Sequence, residues 1–190
     1  MKKILTTVFS VVLALNANAT VIPFDLIGTA GPGLRFGSEP AVASGGTGGE
    51  IGAGITFDDV ALTLSISNVG WGSSQGFTDL SSTASLSHIH TTSANFGNDG
   101  TANFKLTGGV IFTLTRSSSA ATGGTFTNAP LALSAAQATE LQNGRYYINI
   151  HTTTNTGGEL RGFLVPVPEP ASVALLGAAG LMMMGLRRRN

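Results

Sequence analysis

Cysteine is absent from this chain of 190 residues, and ionisable and aromatic side chains are scarce. Charged residues make up 11% of the sequence, which has one tryptophan and two tyrosines. Without cysteine there is no disulfide bond, no thiolate metal ligand and no thiol nucleophile, so packing must stabilise the folded state. The H-E-x-x-H motif of metalloproteases is also missing, and we predict that the protein is not an enzyme.

A net charge of zero at pH 7 conceals an uneven distribution of the ten basic residues. The middle of the chain is acidic, because half of the basic residues lie at its two ends. An acidic body lacks the basic surface with which proteins bind nucleic acids, so we predict no nucleic-acid partner. The terminal basic residues are Lys2, Lys3, Arg187, Arg188 and Arg189.

Residues 1–19 have the composition of a secretory signal peptide. Lys2 and Lys3 precede a mostly apolar run at residues 4–15, and Ala17-Asn18-Ala19 offers small residues where signal peptidase reads them. We predict that signal peptidase removes residues 1–19 and that the mature chain begins near Thr20.

Residues 167–190 combine a proline-rich motif, an apolar run and a basic tail. Pro168, Glu169 and Pro170 come first, followed by an uncharged apolar segment at 171–186 and the basic tail 187–190. Arginines after an apolar run mark the cytoplasmic side of a transmembrane helix. The segment 171–186 is therefore a predicted transmembrane helix, although a relaxed span needs about 20 residues.

This order of features closely resembles the PEP-CTERM sorting signal. The membrane protease exosortase cleaves that signal at its Pro-Glu-Pro motif during delivery to the cell surface. The resemblance implies that exosortase is a partner and that the helix at 171–186 is inserted in the membrane only transiently. The protein would then reach the cell surface or the extracellular space through a membrane-anchored intermediate. An ordinary single-span tail anchor is the alternative.

Residues 20–166 have the pattern of a single all-β domain. Ser134 and Gln137 form a capping-box pattern and Gly144 follows, so residues 135–143 predict one short helix. The spacing of the strands favours an antiparallel sandwich or barrel-like fold. Strands are predicted at residues 24–29, 51–57, 60–69, 110–115, 145–152 and 159–165, separated by glycine-rich turns.

All three histidines lie in two short segments, HIH at residues 88–90 and YYINIH at residues 146–151. Side chains alternate along a strand, so His88 and His90 share one face and Ile89 takes the other. If these strands and the strand at 159–165 are neighbours, one outer polar face collects side chains from all three. They are His88, His90, Tyr147, Asn149, His151, Glu159, Arg161 and Phe163.

The HIH motif, the capped helix and the segment YYINIHTTTNTGGELRG together resemble the CHRD domain. This domain was named from chordin and also occurs in exported bacterial proteins. The resemblance spans roughly residues 24–165 and implies an all-β sandwich with an extracellular role and no established catalytic activity. Thr91-Thr92-Ser93 departs from the Gly-Pro that often follows H-I-H. The matching residues are Tyr147, Asn149, His151, Thr152, Gly158, Glu159, Arg161 and Gly162, with looser matches at Leu26, Gly28, Glu39, Pro40 and Val42.

Two interpretations of the histidines follow from their spacing. An H-x-H pair on a strand places two Cα atoms about 7 Å apart. His151 from a neighbouring strand would complete a three-nitrogen site for zinc or copper with His88 and His90, and Glu159 and Asn149 would support it from outside. Alternatively, no cofactor binds, and the imidazoles form a hydrogen-bonded network with the polar residues beside them. Those residues are Asn149, Thr152, Glu159 and Arg161.

We therefore predict an exported, surface-sorted protein that is a structural or binding component of the cell envelope or extracellular matrix. Its predicted partners are extracellular polysaccharide or matrix proteins. The alternative is a metalloprotein with a redox-active histidine site. A carbohydrate-binding module is a third hypothesis, which requires Trp71 or Tyr147 to be exposed on a flat face.

Overall fold

The computed structural model describes residues 20–37, 45–95, 104 and 106–167. The predicted signal peptide, the motif at Pro168 to Pro170 and the predicted transmembrane helix lie outside these residues. Among the described residues, no helix is long and apolar enough to cross a membrane. The described elements are β1 Val21–Gly28, β2 Gly31–Pro32, β3 Arg35–Phe36, β4 Gly48–Glu50, β5 Ile55–Asp58, β6 Thr63–Ser65, β7 Val69–Trp71, a 3₁₀-helix Ser73–Gln75, β8 Ala84–Thr91, β9 Val110–Thr113, β10 Gly124–Thr125, β11 Leu131–Ala132, α1 Ala135–Gln142, β12 Tyr146–Thr152 and β13 Leu160–Pro166.

Most of these strands form one curled antiparallel sheet in the order β11-β6-β5-β1-β13-β12-β8-β9. β2 adds to β1 and β3 adds to β13, while β10, β7 and β4 form a second, smaller sheet. The first strand thus pairs with the last, with Phe24 opposite Pro166. The predicted all-β class with one short helix is confirmed.

The helix α1 ends within one residue of its predicted boundary because its caps are encoded locally. The Ser134 hydroxyl accepts a hydrogen bond from the Gln137 backbone N–H at 3.3 Å, and the Gln137 side chain accepts from the Ser134 N–H at 2.9 Å. This reciprocal pair satisfies two of the amide groups that a helix start leaves without partners. Gly144, with φ of 67°, ends the helix in the left-handed conformation.

The predicted strand at residues 60–69 is confirmed only over β6, Thr63–Ser65, and at the start of β7, and it was wrong at residues 60–62, which form a turn. The Asp58 carboxylate accepts hydrogen bonds from the backbone N–H groups of Val60 at 3.0 Å and Ala61 at 2.7 Å. This local turn competes with strand pairing and leaves Val60 60% exposed. The alternation of apolar residues therefore continues through a turn that separates β5 from β6.

Trp71 and Tyr147 are both buried, so neither offers the exposed flat face that a carbohydrate-binding module requires. The Trp71 indole N–H donates to the Ala120 carbonyl at 3.2 Å, and its ring packs 5.7 Å from that of Phe126. Trp71 therefore serves as a core residue at the smaller sheet.

Candidate metal centre

The three histidines come together on β8 and β12, two neighbouring strands near the β9 end of the large sheet. β12 pairs with β8 on one side and with β13 on the other, so the predicted neighbourhood of these strands is present. Tyr147 lies opposite His90, and Asn149 lies opposite His88. One potential ligand nitrogen from each of the three histidines lies within 4.8 Å of the other two.

Backbone carbonyl groups fix the protonation of two of the rings. The Nδ1 atom of His151 is 2.7 Å from the Thr156 carbonyl oxygen, and that of His90 is 3.0 Å from the Gly108 oxygen. Because a carbonyl can only accept a hydrogen bond, we assign the proton of each neutral ring to Nδ1. The Nε2 atom of each ring then keeps a free lone pair, as a metal ligand must.

The Nε2 atom of His151 has neighbours at hydrogen-bond distance, whereas that of His90 has none among the described residues. The Nδ1 atom of His88 lies 3.2 Å from His151 Nε2, and the Asn149 amide nitrogen lies 3.3 Å from the same atom. The Nε2 atom of His90 is buried and has no hydrogen-bond partner among the described residues. Buried polar atoms in native proteins are rarely left in this state, which makes His90 Nε2 the most unusual atom of the cluster.

A three-layer stack orients His90 from the side of β13. The His90 and Tyr147 rings are nearly parallel, at an interplanar angle of 5° and with centroids 4.9 Å apart. The Arg161 guanidinium carbon lies 4.0 Å from the Tyr147 ring centre on a cation–π contact. This stack restricts rotation of the His90 ring and places a positive charge one ring away from it.

The predicted exposure of this face was wrong. Tyr147 is 2% exposed, Asn149 2% and Arg161 4%, so most of the face is covered. Arg161 Nη1 donates to the carbonyl oxygens of Phe104, at 2.8 Å, and Leu106, and thereby holds this part of the chain across the sheet. The histidine cluster is therefore partly buried instead of lying on an open surface.

The structure does not bring Glu159 into the cluster, although Asn149 is there. Glu159 precedes the first residue of β13, and Gly158 has a φ of 119°, so the alternation of the strand does not extend to it. Its buried carboxylate accepts five hydrogen bonds from groups on three different loops and at the end of β12. The donors are the Gly46 N–H at 2.9 Å, the Ser81 N–H at 2.8 Å, the Ser81 hydroxyl at 2.6 Å, the Thr152 hydroxyl at 3.0 Å and the Asn155 amide at 3.1 Å.

These donors explain the electrostatics of Glu159. Burial acts to raise the pKa of its carboxyl group, but the hydrogen bonds from Gly46, Ser81 and Asn155 outweigh burial and hold the pKa below its ordinary value. Glu159 is therefore an ionised structural residue that joins three loops, and the carbonyl of Thr156 occupies the place beside His151 that we predicted for it.

The pH dependence of stability in the metal-free protein should report the clustering of the imidazoles. Burial lowers the pKa of His88, and the charges of His151, His90 and Arg116 lower it further. Burial also lowers the pKa of His90, where the charges of His151 and Arg161 act against the opposing hydrogen bond to Gly108. The folded state thus binds fewer protons than the unfolded state. Stability should be complete above the ordinary imidazole pKa of about 6.5 and fall as the pH drops below it, until the folded pKa values are passed.

An NMR titration of the imidazole protons measures these pKa values directly. Urea unfolding at about pH 7.5 and about pH 5.5 should show a larger loss of stability in the wild-type chain than in a His88→Gln, His90→Gln variant. The carboxylates are common to both chains and cancel in this comparison. Titration curves for His88 and His90 without a downward shift would contradict the expectation.

A groove of about 320 Å³ lies apart from the histidines, with Asp25, Arg35, Glu50 and Phe77 among its lining residues. Burial, followed by the nearby charge of Asp25, raises the pKa of Glu50. The groove contains no histidine and shares none of the residues that surround the cluster, so the two are separate features.

Two elements of the centre were missed from the sequence. The Y-x-N-x-H pattern places Tyr147 on the histidine face but does not show that His90 stacks on its ring. The carbonyl groups of Gly108 and Thr156 leave no side-chain signal at all, because any residue supplies a backbone oxygen.

Comparison with known proteins identifies the domain that carries this centre. The CHRD domain family matches residues 36–164, a region that contains His88, His90 and His151. No curated protein and no solved structure matches the chain significantly. The family match covers most of the chain and confirms the CHRD resemblance, although it begins after β1, where the resemblance was loose. The chain therefore belongs to the CHRD domain family.

Proposed function

We propose that this CHRD domain binds a single zinc or copper ion through His88 Nδ1, His90 Nε2 and His151 Nε2. Imidazole nitrogens suit both metals, and ligands at 2.0–2.1 Å from one tetrahedral ion lie about 3.3 Å apart. The observed distance of 3.2 Å between His88 Nδ1 and His151 Nε2 agrees with that spacing. Since the nitrogens lie within 4.8 Å of one another, small rotations of the rings would complete the site.

The unpartnered Nε2 atom of His90 carries this proposal. A hydrogen-bonded network without a cofactor would satisfy each buried ring nitrogen, because leaving one unsatisfied costs about 1–3 kcal/mol. His90 Nε2 is buried without a partner among the described residues, and its Nδ1 atom is held by Gly108. Metal-binding histidines have this arrangement, in which one ring nitrogen donates a hydrogen bond and the other keeps its lone pair for the metal.

Titration of the purified full-length chain with zinc and copper tests the proposal. We expect one ion per chain, and His88→Ala should remove binding because only two nitrogens would remain. Leu86→Ala, on the same strand and with an exposed side chain, is the matched control and should bind as the wild-type chain does. An unchanged metal content in His88→Ala would refute the site.

We further propose that the protein is exported and sorted to the cell surface, where it is a structural or binding component of the envelope or matrix. The order of Pro168, Glu169 and Pro170, the apolar segment 171–186 and the terminal arginines supports exosortase processing. The intact mass of the extracellular form tests this. We expect a chain that lacks residues 1–19 and the segment after the Pro-Glu-Pro region. An extracellular chain that still ends at Asn190 would contradict it.

A further inference from the structure

The ligands of the proposed site carry no negative charge. Among the described residues, no aspartate or glutamate joins the three imidazoles in the cluster. The groups that accept hydrogen bonds from His90 and His151 are the neutral carbonyls of Gly108 and Thr156. Zinc-binding histidines often donate to a carboxylate, which increases the negative charge near the ion. Here Glu159 is engaged elsewhere by its own five hydrogen bonds.

Among the described residues, the fixed charge that packs against the cluster is positive. Arg161 is buried, stacks on Tyr147 and is held by backbone carbonyl groups. In the described part of the chain the ion pair found joins Arg145 to Glu140, so no carboxylate neutralises Arg161 there. A cation bound by His90 would be repelled by the guanidinium of Arg161, which lies one aromatic ring away.

Such surroundings distinguish ions by their charge. The cost of moving an ion out of water rises with the square of its charge, so a divalent ion loses about four times as much hydration energy as a monovalent one. Its repulsion from Arg161 is also twice as large. Zinc(II) in a site of three histidines still needs a fourth ligand such as water to complete its tetrahedron, whereas copper(I) is satisfied by three nitrogens. Imidazole itself suits both metals, so the charge of the ion becomes the deciding property.

We propose that the three-histidine site selects copper(I) over zinc(II) and copper(II). The inference rests on the proposed metal-binding function and identifies the ion. It is carried by the neutral ligand set and by the buried guanidinium of Arg161, which lies one aromatic ring from His90.

Competition titrations on the purified full-length chain test the selection. Copper(I) is supplied without oxygen in the presence of ascorbate and competes with a chromophoric copper(I) chelator. Zinc(II) and copper(II) are titrated against chelators of their own in separate experiments. We expect one copper(I) per chain, bound at least about 100-fold more tightly than zinc(II).

Variants of Arg161 separate the effect of charge from the intrinsic affinities of the ions. Arg161→Gln should reduce the preference for copper(I) over zinc(II) about twentyfold, as Coulomb's law gives for one unit charge at about 9 Å and an effective dielectric constant of ~20. Arg161→Lys also loses the stack of the guanidinium on Tyr147, but it retains the charge and should therefore retain the preference for copper(I). Arg145→Gln, which removes a partly exposed arginine, is the matched control. Near-ultraviolet circular dichroism verifies that each variant is folded.

The outcomes are distinguishable. Binding of zinc(II) or copper(II) at least as tight as that of copper(I) would overturn the selection while leaving the metal site intact, and so would an unchanged preference in Arg161→Gln. Asp99 lies outside the described residues, and a large loss of zinc(II) affinity in Asp99→Asn would reveal an anionic ligand and also overturn the selection. If no ion binds in a ratio of one to one, the proposed function itself fails.

Discussion

Glu159→Gln is expected to lower the free energy of unfolding by about 4 kcal/mol, in the range seen when one partner of a buried charged group is removed. The carboxylate accepts five hydrogen bonds, and hydrogen bonds to a charged group contribute about 1.5–3 kcal/mol each. Glutamine keeps one acceptor oxygen but directs an N–H₂ group at several of the same donors. Urea unfolding monitored by circular dichroism measures the change.

Two comparisons make this expectation specific. Glu140→Gln removes the half-exposed partner of Arg145 and should cost under about 1 kcal/mol. The pKa of Glu159 is lowered in the folded state, so its contribution is present above the ordinary carboxyl pKa and is lost as the pH falls through the folded value. The free energy of unfolding of Glu159→Gln should therefore fall less steeply with decreasing pH than that of the wild-type chain. A cost below about 1.5 kcal/mol would show that water replaces the lost interactions.

His90→Phe is expected to weaken metal binding by on the order of a thousandfold while changing the free energy of unfolding by under about 1 kcal/mol. Loss of an outer partner of a ligand costs about 10–100-fold in metal affinity, and loss of the ligand itself should cost more. Phenylalanine can keep the stack on Tyr147 and removes the buried, unpartnered Nε2 atom. Removing that atom stabilises the folded state, and loss of the hydrogen bond to Gly108 offsets this stabilisation. Chelator competition and urea unfolding on the same samples give the two quantities.

Tyr147→Phe is the matched control for this change. It retains the ring on which His90 stacks and leaves the three imidazoles unaltered, so metal affinity should stay close to that of the wild-type chain. A His90→Phe variant that binds metal normally would exclude His90 as a ligand. If His90→Phe is strongly destabilised in the absence of metal, the result would instead support the hydrogen-bonded network without a cofactor.

The sequence predicts much of the centre because strand alternation is a strict geometric rule. The period of two in YYINIHT places Tyr147, Asn149 and His151 on one face, and the structure has them there. The hairpin of β12 and β13 follows from two apolar runs around a glycine-containing turn. The helix could be predicted almost to the residue because its signals at Ser134, Gln137 and Gly144 are local.

The remaining features could not be predicted because they depend on contacts between distant parts of the chain. Glu159 departs from the alternation because its backbone lies outside β13, after a glycine with positive φ. Asp58 forms a turn at the start of the apolar alternation at residues 60–69, and the alternation itself does not reveal that turn. The cover over Arg161 is made by backbone carbonyl groups of Phe104 and Leu106, and it has no periodic pattern.

The pairing of β1 with β13 has a kinetic consequence. β1 lies between β5 and β13, so one of its partners comes early in the domain's sequence and the other at its end. Because β13 is the last strand of the domain to be synthesised, β1 cannot complete its hydrogen bonds until nearly all of the domain has left the ribosome. Such nonlocal pairing raises the contact order and slows folding. The large sheet should therefore close late, with β13 as the strand that inserts between β1 and β12 and completes the native topology.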